Sequence, residues 1–122
     1  MFTHIMVGAN DVDAAEKFYT AALGALGIQG SRKGDSCFYG QFGTGAFGVG
    51  KPRDGENATQ ANGGTIGFHA KTREQVDAFH AAGCANGGSC EGAPDVRGGA
   101  PGSPYGAYLR DPEGNKICAF CA

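Results

Sequence analysis

The sequence contains 122 residues, which is enough to bury the core of one domain, and we interpret residues 1–122 as a single domain. A formal net charge of −2 without any basic run argues against nucleic acid or an anionic membrane as a partner. No segment is long and apolar enough to cross a bilayer, and the first residues lack the pattern of a secretion signal, so we expect a cytoplasmic protein.

The start of the chain predicts a strand over residues 2–8. Its residues alternate, which places Ile5 and Val7 on one face and His4 and Met6 on the other. The first face is apolar and the second is mixed, so we expect the strand to bury one face only.

A helix over residues 12–23 follows, because apolar residues recur there at spacings of three and four. Asn10 or Asp11 caps its start, and Gly24 is a natural stop. Three further strands are predicted before a polar linker at 52–64: residues 26–33 with a break at Gly30, 36–42 and 46–51.

The pattern of strand and helix then restarts. Residues 65–70 alternate as the first strand does. Thr72 and Gln75 form a capping box for a second helix, which we expect to end at Gly83.

The last part of the chain contains a loop-rich stretch and a hairpin. Residues 84–104 are rich in Gly and Pro and form either an active-site loop or a connection with a weak edge strand near 95–97. Two strands, Tyr105–Arg110 and Lys116–Cys121, then flank an Asp-Pro-Glu-Gly tetrapeptide that is typical of a type I turn.

The five cysteines give no clear metal or disulfide pattern. Cys118 and Cys121 form a CxxC pair, but residues three apart on a strand point to opposite faces and cannot bind one ion. Cys84 and Cys90 lie in a Gly-rich loop that lets them reach each other, yet no second CxxC completes a zinc quartet. An odd number of cysteines in a reducing compartment favours free thiols.

The two halves of the chain repeat one unit. Placing Phe18 over Phe79 aligns their strand–helix segments and gives the order βαβββ twice, over residues 1–55 and 63–122. If each helix covers one sheet face, the other face carries polar, small and aromatic groups, a mixture typical of a small-molecule cavity. By alternation this mixed face carries the following residues: His4, Met6, Thr65, Gly67, His69, Cys118 and Phe120.

The repeat order, the opening FTHIMVGANDVDAAEKFY and the closing YLRDPEGNKICAF resemble the vicinal oxygen chelate superfamily, which includes glyoxalase I, bleomycin-resistance proteins and extradiol dioxygenases. The resemblance covers essentially the whole chain and is nearest to short glyoxalase-like members. It implies an α+β fold in which two βαβββ modules form a cup-shaped mixed β-sheet with helices on the outside. It also implies a homodimer, because such cups are commonly completed by dimerisation.

The resemblance also implies a divalent metal, such as Zn, Ni, Mn or Fe, held by the first strand of each module and by a Glu on the final strand. In this chain the first ligand position falls on His4, the second on Thr65 and the closing one on Cys118. A hydroxyl is a feeble ligand, and a thiol binds zinc only as thiolate, so the metal is left open. Without the Glu, the base for glyoxalase-type proton abstraction is also absent.

The function first implied is a lyase- or isomerase-like enzyme of unassigned substrate, similar to lactoylglutathione lyase or to a dioxygenase. The alternative is a metal-free protein that binds and sequesters a small molecule such as a drug, and a third hypothesis is thiol chemistry through Cys118. We expect the small-molecule ligand to contact the cup residues His4, Thr65, His69, Cys118 and Phe120. An anionic substrate would in addition favour Lys51, Arg53 or Arg97, in or beside loops that can cover the cup.

Overall fold

A computed structural model describes all residues from 1 to 122, with two helices and eight strands. The first half contains β1 (His4–Gly8), α1 (Val12–Gly24), β2 (Gly30–Lys33), β3 (Ser36–Tyr39) and β4 (Ala46–Gly50). The second half contains β5 (Ile66–His69), α2 (Arg73–Ala85), β6 (Ser89–Val96), β7 (Tyr105–Arg110) and β8 (Lys116–Cys121). The predicted α+β class and the order βαβββ in each half are confirmed. Neither helix is long and apolar enough to cross a membrane.

The strands form two four-stranded sheets, with the orders β1-β4-β3-β2 and β5-β8-β7-β6. In each sheet the first strand of the module pairs in parallel with the last, and the remaining pairs are antiparallel. No ladder of hydrogen bonds joins the two sheets, so β1 and β5 are both edge strands.

Both helices begin where the sequence predicts. The Asp11 carboxylate accepts a hydrogen bond from the Ala14 amide at the start of α1, at 3.0 Å. At the start of α2, the Thr72 hydroxyl accepts from the Gln75 amide at 3.1 Å, and the Gln75 side chain accepts from the Lys71 amide at 2.8 Å. Thr72 therefore caps the helix as predicted, whereas the Gln75 side chain bonds the amide of Lys71, one residue before the N-cap amide that a capping box uses.

The end of α2 differs from the prediction, because Gly83 lies inside the helix. A Cβ at this residue would collide with the Leu109 side chain and would lie 3.2 Å from the Phe18 ring. The glycine therefore makes room for Leu109 of its own module and for Phe18 of the other module. Its carbonyl accepts hydrogen bonds from the amides of Asn86 and Gly88 in the turn that follows the helix.

Two strand predictions also need correction. The predicted strand 26–33 is limited to β2, because the Ile28 amide bonds the Leu23 carbonyl and residues before Gly30 continue the turn after α1. The weak edge strand near 95–97 is the end of an eight-residue strand, β6. Its register against β7 shifts twice, and such irregularities remove the alternation by which a strand is recognised in sequence.

One hydrophobic core joins the two modules. The buried cluster includes residues from both helices and both sheets. Phe18 of α1 packs next to Gly88 of the second module, and the Phe47 and Phe68 rings meet edge to face at 5.3 Å. The sheet faces covered by helices therefore share one core, and the opposite faces are free of it.

A buried carboxylate connects α1 to the β7–β8 turn. Asp111 is 4% exposed, and its Oδ2 accepts hydrogen bonds from the Tyr19 hydroxyl at 2.5 Å and from the Asn115 side chain at 2.8 Å. Its Oδ1 accepts from the amides of Glu113 and Asn115, as expected of the first residue of the turn. The Asn115 side chain also donates to the Gly8 carbonyl at the end of β1.

Replacing Tyr19 by Phe should lower the free energy of unfolding by about 1.5–3 kcal/mol, because Asp111 loses one charge-assisted hydrogen bond. Tyr39→Phe is the matched control, since Tyr39 is also buried but its hydroxyl pairs with the neutral Thr20 hydroxyl, a bond contributing about 0.5–1.5 kcal/mol. Urea unfolding of the three proteins measures both changes. An equal or smaller loss in the Tyr19 variant would contradict the role given to Asp111.

Burial, together with the negative charge of Asp111, raises the pKa of Tyr19 well above its ordinary value. The unfolded tyrosine ionises first, so its contribution to stability is complete below about pH 10 and falls as the pH rises further. The alkaline decline in the free energy of unfolding should therefore be shallower in Tyr19→Phe than in the wild type.

Candidate functional site

Each sheet has one face packed on the shared core and one that points away from it, which we call the open face. On the open face of the first sheet, His4, Met6 and Phe38 are exposed. Met6 and Phe38 lie over Gly48 of β4, where a Cβ would collide with the Met6 sulfur and lie 3.0 Å from the Phe38 ring. The missing side chain lets both residues lie flat on the sheet.

The open face of the second sheet is also built over glycines. Phe120 lies across Gly106, where a Cβ would meet its ring, and packs edge to face on Tyr108 at 5.6 Å. Cys118 lies between Tyr108 and Gly67 in the strand register. The alternation predicted for β8 is correct, because Cys118 is outside the core cluster and Cys121 is part of it.

Cys118 is 5% exposed, and burial raises the pKa of its thiol although the positive charge of Lys116 opposes the shift. The Lys116 ammonium lies 5.0 Å from the centre of the Tyr108 ring. At neutral pH the sulfur is therefore a protonated thiol, and a thiol is a poor nucleophile and a poor metal ligand.

The remaining predicted site residues are exposed. The His4 Nδ1 lies 2.9 Å from the Thr3 hydroxyl, and its ring packs at 5.3 Å on Phe42. His69 ends β5 and makes no hydrogen bond through its side chain. Thr65 precedes β5 and lines a cavity of about 210 Å³ at the junction of the modules, which we call the junction cavity.

The junction cavity brings β1 and the second module together. Met6 lines it from β1, and Thr65 and Lys116 line it from the second module. Neither His4 nor Cys118 lines this cavity. No group of three or more His, Cys, Asp or Glu side chains in the chain is arranged to hold a metal ion.

The largest cavity, of about 570 Å³, lies between the open face of the first sheet and the segment 51–59, and we call it the linker cavity. Met6, Gly8 and Gly50 line it from β1 and β4, and Ser36 lines it from β3. The sequence predicts a polar linker at 52–64, with Lys51 and Arg53 available to an anionic substrate, but not its place against the first sheet, because that place depends on contacts with distant residues.

The segment 51–59 is fixed to the rest of the protein at Ala58, which is buried. The Asn10 side chain accepts a hydrogen bond from the Ala58 amide at 2.7 Å, and Asn10 is itself bonded through its amide and side chain to Glu113 in the β7–β8 turn. The linker cavity therefore has a wall that is set by the same turn that carries Asp111.

A family model and a solved structure of a similar protein indicate the same family for this chain. The model of the Glyoxalase/Bleomycin resistance protein/Dioxygenase superfamily matches residues 1–119. A glyoxalase/bleomycin resistance protein from Albidiferax ferrireducens T118 is 54% identical, with 98% of each chain covered and a TM-score of 0.90. No match was found among curated proteins.

Two more distant crystal structures show the same fold. A glyoxalase-related enzyme from Fulvimarina pelagi is 18% identical, with a TM-score of 0.75 over 98% of this chain and 86% of that one. Lactoylglutathione lyase from Agrobacterium tumefaciens is 22% identical, with a TM-score of 0.65 over 98% and 92%.

The rate at which each cysteine reacts with an alkylating reagent tests whether Cys118 and Cys121 of β8 are both buried. In the native protein, iodoacetamide should label Cys84 and Cys90, which are exposed, well before Cys37, Cys118 and Cys121, which are buried. Peptide mapping by mass spectrometry measures the order, and labelling in denaturant is the control in which all five thiols react. Early labelling of Cys118 would contradict a buried, protonated thiol and would favour thiol chemistry at this residue.

Proposed function

The protein belongs to the Glyoxalase/Bleomycin resistance protein/Dioxygenase superfamily, and we propose that it binds a small molecule on its open sheet faces without a bound metal. The feature that carries this proposal is the construction of those faces. Gly48 and Gly106 let Met6, Phe38 and Phe120 lie against the sheets, where they offer apolar contact next to polar groups, and Gly67 leaves the surface beside Cys118 without a side chain.

The residues at the family's ligand positions do not fit a divalent metal. The Thr65 hydroxyl is a feeble donor, and the Cys118 thiol has a raised pKa that disfavours the thiolate a metal needs. His4 is the one residue of the usual metal-ligating type among the three positions, and a single ligand does not form a metal site. Binding is therefore better supported than a metal-dependent lyase or dioxygenase reaction.

We further propose a homodimer that acts in the cytoplasm. Five large apolar side chains of the first module are exposed, and such a concentration favours a contact with another chain: Met1, Phe2, Met6, Phe38 and Phe42. The five unpaired cysteines suit a reducing compartment. Sedimentation at the mass of a single chain would contradict the dimer.

Protein purified without added metal should contain no stoichiometric Zn, Ni, Mn or Fe, and none of these ions should raise its melting temperature. The double variant Thr65→His/Cys118→Glu restores two ligands of the usual type beside His4, and it should gain a metal-dependent rise in melting temperature. Elemental analysis and thermal unfolding measure both effects.

The single variants Thr65→His and Cys118→Glu are the controls, since each provides only two of the three ligands. Retention of one metal per chain by the wild type would overturn the metal-free proposal and support the lyase or dioxygenase hypothesis. A double variant that gains no metal affinity would show that His4, Thr65 and Cys118 do not converge on one site.

A thermal-shift screen with aromatic and peptidic drugs should yield compounds that raise the melting temperature of the wild type. Gly67→Leu should abolish the shift, because the new side chain enters the open face beside Cys118. Gly24→Leu is the matched control, since a Cβ at Gly24 has no neighbour within 4 Å and lies at the end of α1. Failure of every compound to stabilise the wild type would count against binding as the function.

A further inference from the structure

We propose that the linker cavity recognises an oxyanion, a carboxylate or a phosphate, on the small molecule that the protein binds, and that Arg53 and Lys51 make this contact. The inference rests on the proposed function and names the chemical class of its ligand. Both residues line the cavity within the segment that forms its outer wall.

Arg53 differs from the other arginines because its guanidinium has no partner within the protein. Every other arginine has an ion pair, a hydrogen bond or an aromatic ring beside it: Arg32 with Asp13 and Glu16, Arg73 with Tyr105, Arg97 with Tyr108, and Arg110 with Glu91. A guanidinium presents paired donors that match the two oxygens of a carboxylate or phosphate. The arginine at the cavity is thus the one whose donors remain available.

Neutral hydrogen-bonding groups surround the two cations. The side chains of Ser36, Asn57 and Thr59 also line the cavity, and none of them bonds to another protein group. Hydroxyl and amide groups of this kind orient a polar ligand that a cation attracts. The cavity therefore combines charge with directional donors.

The charge of the cavity is opposite to that of the whole chain. Two cations and one carboxylate, Asp54, line it, which leaves one positive charge in excess in a protein of net charge −2. The Asp54 carboxylate is engaged by the Glu56 amide at 2.9 Å. An anion is consequently favoured over a cation at this place.

The cavity is formed before any ligand enters. Asn10 holds the wall at Ala58, and a Cβ at Gly50 would collide with the Ser36 hydroxyl, so the missing side chain lets this hydroxyl lie on the floor of the cavity. The volume of about 570 Å³ lies within the range of small-molecule sites, roughly 300–1,000 Å³. Little ordering is needed on binding, which favours affinity.

Titration of the labelled protein with phenyl phosphate and with benzoate, followed by amide NMR, tests the inference. Both probes should shift the amides of residues 6–8 and 50–59, whereas the neutral benzyl alcohol should shift them much less. The two anions distinguish a preference for phosphate from one for carboxylate. Added salt should weaken the binding of both, because the cations at the cavity are exposed to solvent.

Arg53→Gln and Lys51→Gln should each weaken the binding of the anions, by about tenfold or more for Arg53, as expected on losing a charge-assisted hydrogen bond. Lys71→Gln is the matched control, because it removes the same charge from an exposed residue that lines none of the cavities described here. If Lys71→Gln weakened anion binding as much as Arg53→Gln does, the loss would come from the change in net charge alone, and the inference would be overturned.

The two proposals fail in different ways. Drug binding that is lost in Gly67→Leu, together with no shift at residues 50–59 on adding either anion, would overturn the oxyanion site and leave small-molecule binding intact. Anion-dependent shifts at 50–59 that need Arg53, with no drug bound in the thermal-shift screen, would support the oxyanion site and contradict binding across the open faces.

Discussion

The structure depends on the buried carboxylate of Asp111. A charge taken out of water is costly unless hydrogen bonds surround it, and this one accepts from the Tyr19 hydroxyl, two turn amides and the Asn115 side chain. Tyr19 belongs to the first module and Asp111 to the second, so the hydrogen bond from the Tyr19 hydroxyl forms only when the two modules are packed together. Asn115 adds a bond to Gly8 at the end of β1. The turn thus fixes the relation between the first helix, the first strand and the last hairpin.

The β7–β8 turn is also connected by hydrogen bonds to the wall of the linker cavity. Glu113 binds Asn10, and Asn10 holds Ala58, so the outer wall of the linker cavity is connected to Asp111 through two side chains. These contacts are long in sequence, since 103 residues separate Asn10 from Glu113. A short local motif therefore determines the shape of a cavity that lies in the other module.

Local signals explain what could be predicted from the sequence. The helix starts, the Asp-Pro-Glu-Gly turn and the opposite faces of Cys118 and Cys121 follow from capping, turn chemistry and alternation, which act over a few residues. The sequence predicts Gly83 as a helix stop, because sequence alone does not distinguish a glycine that ends a helix from one that makes room for Leu109 and Phe18. The length of β6 and the role of the linker depend on register shifts and distant contacts, which leave no periodic pattern.

The interactions that hold the two modules together are separate from the residues at the family's metal-ligand positions. This separation explains how the fold tolerates Thr65 and Cys118 at those positions. The modules are held by a common core and by the Asp111 network, and neither includes Thr65 or Cys118. The family's second and third ligand positions thus lie outside the interactions that hold the two modules together. A substitution on the open faces therefore leaves the core and this network in place, and under our proposal it changes the contacts that a small molecule can make. Because glycines lie beneath those faces, such changes alter the shape and chemistry of the surface without disturbing the core.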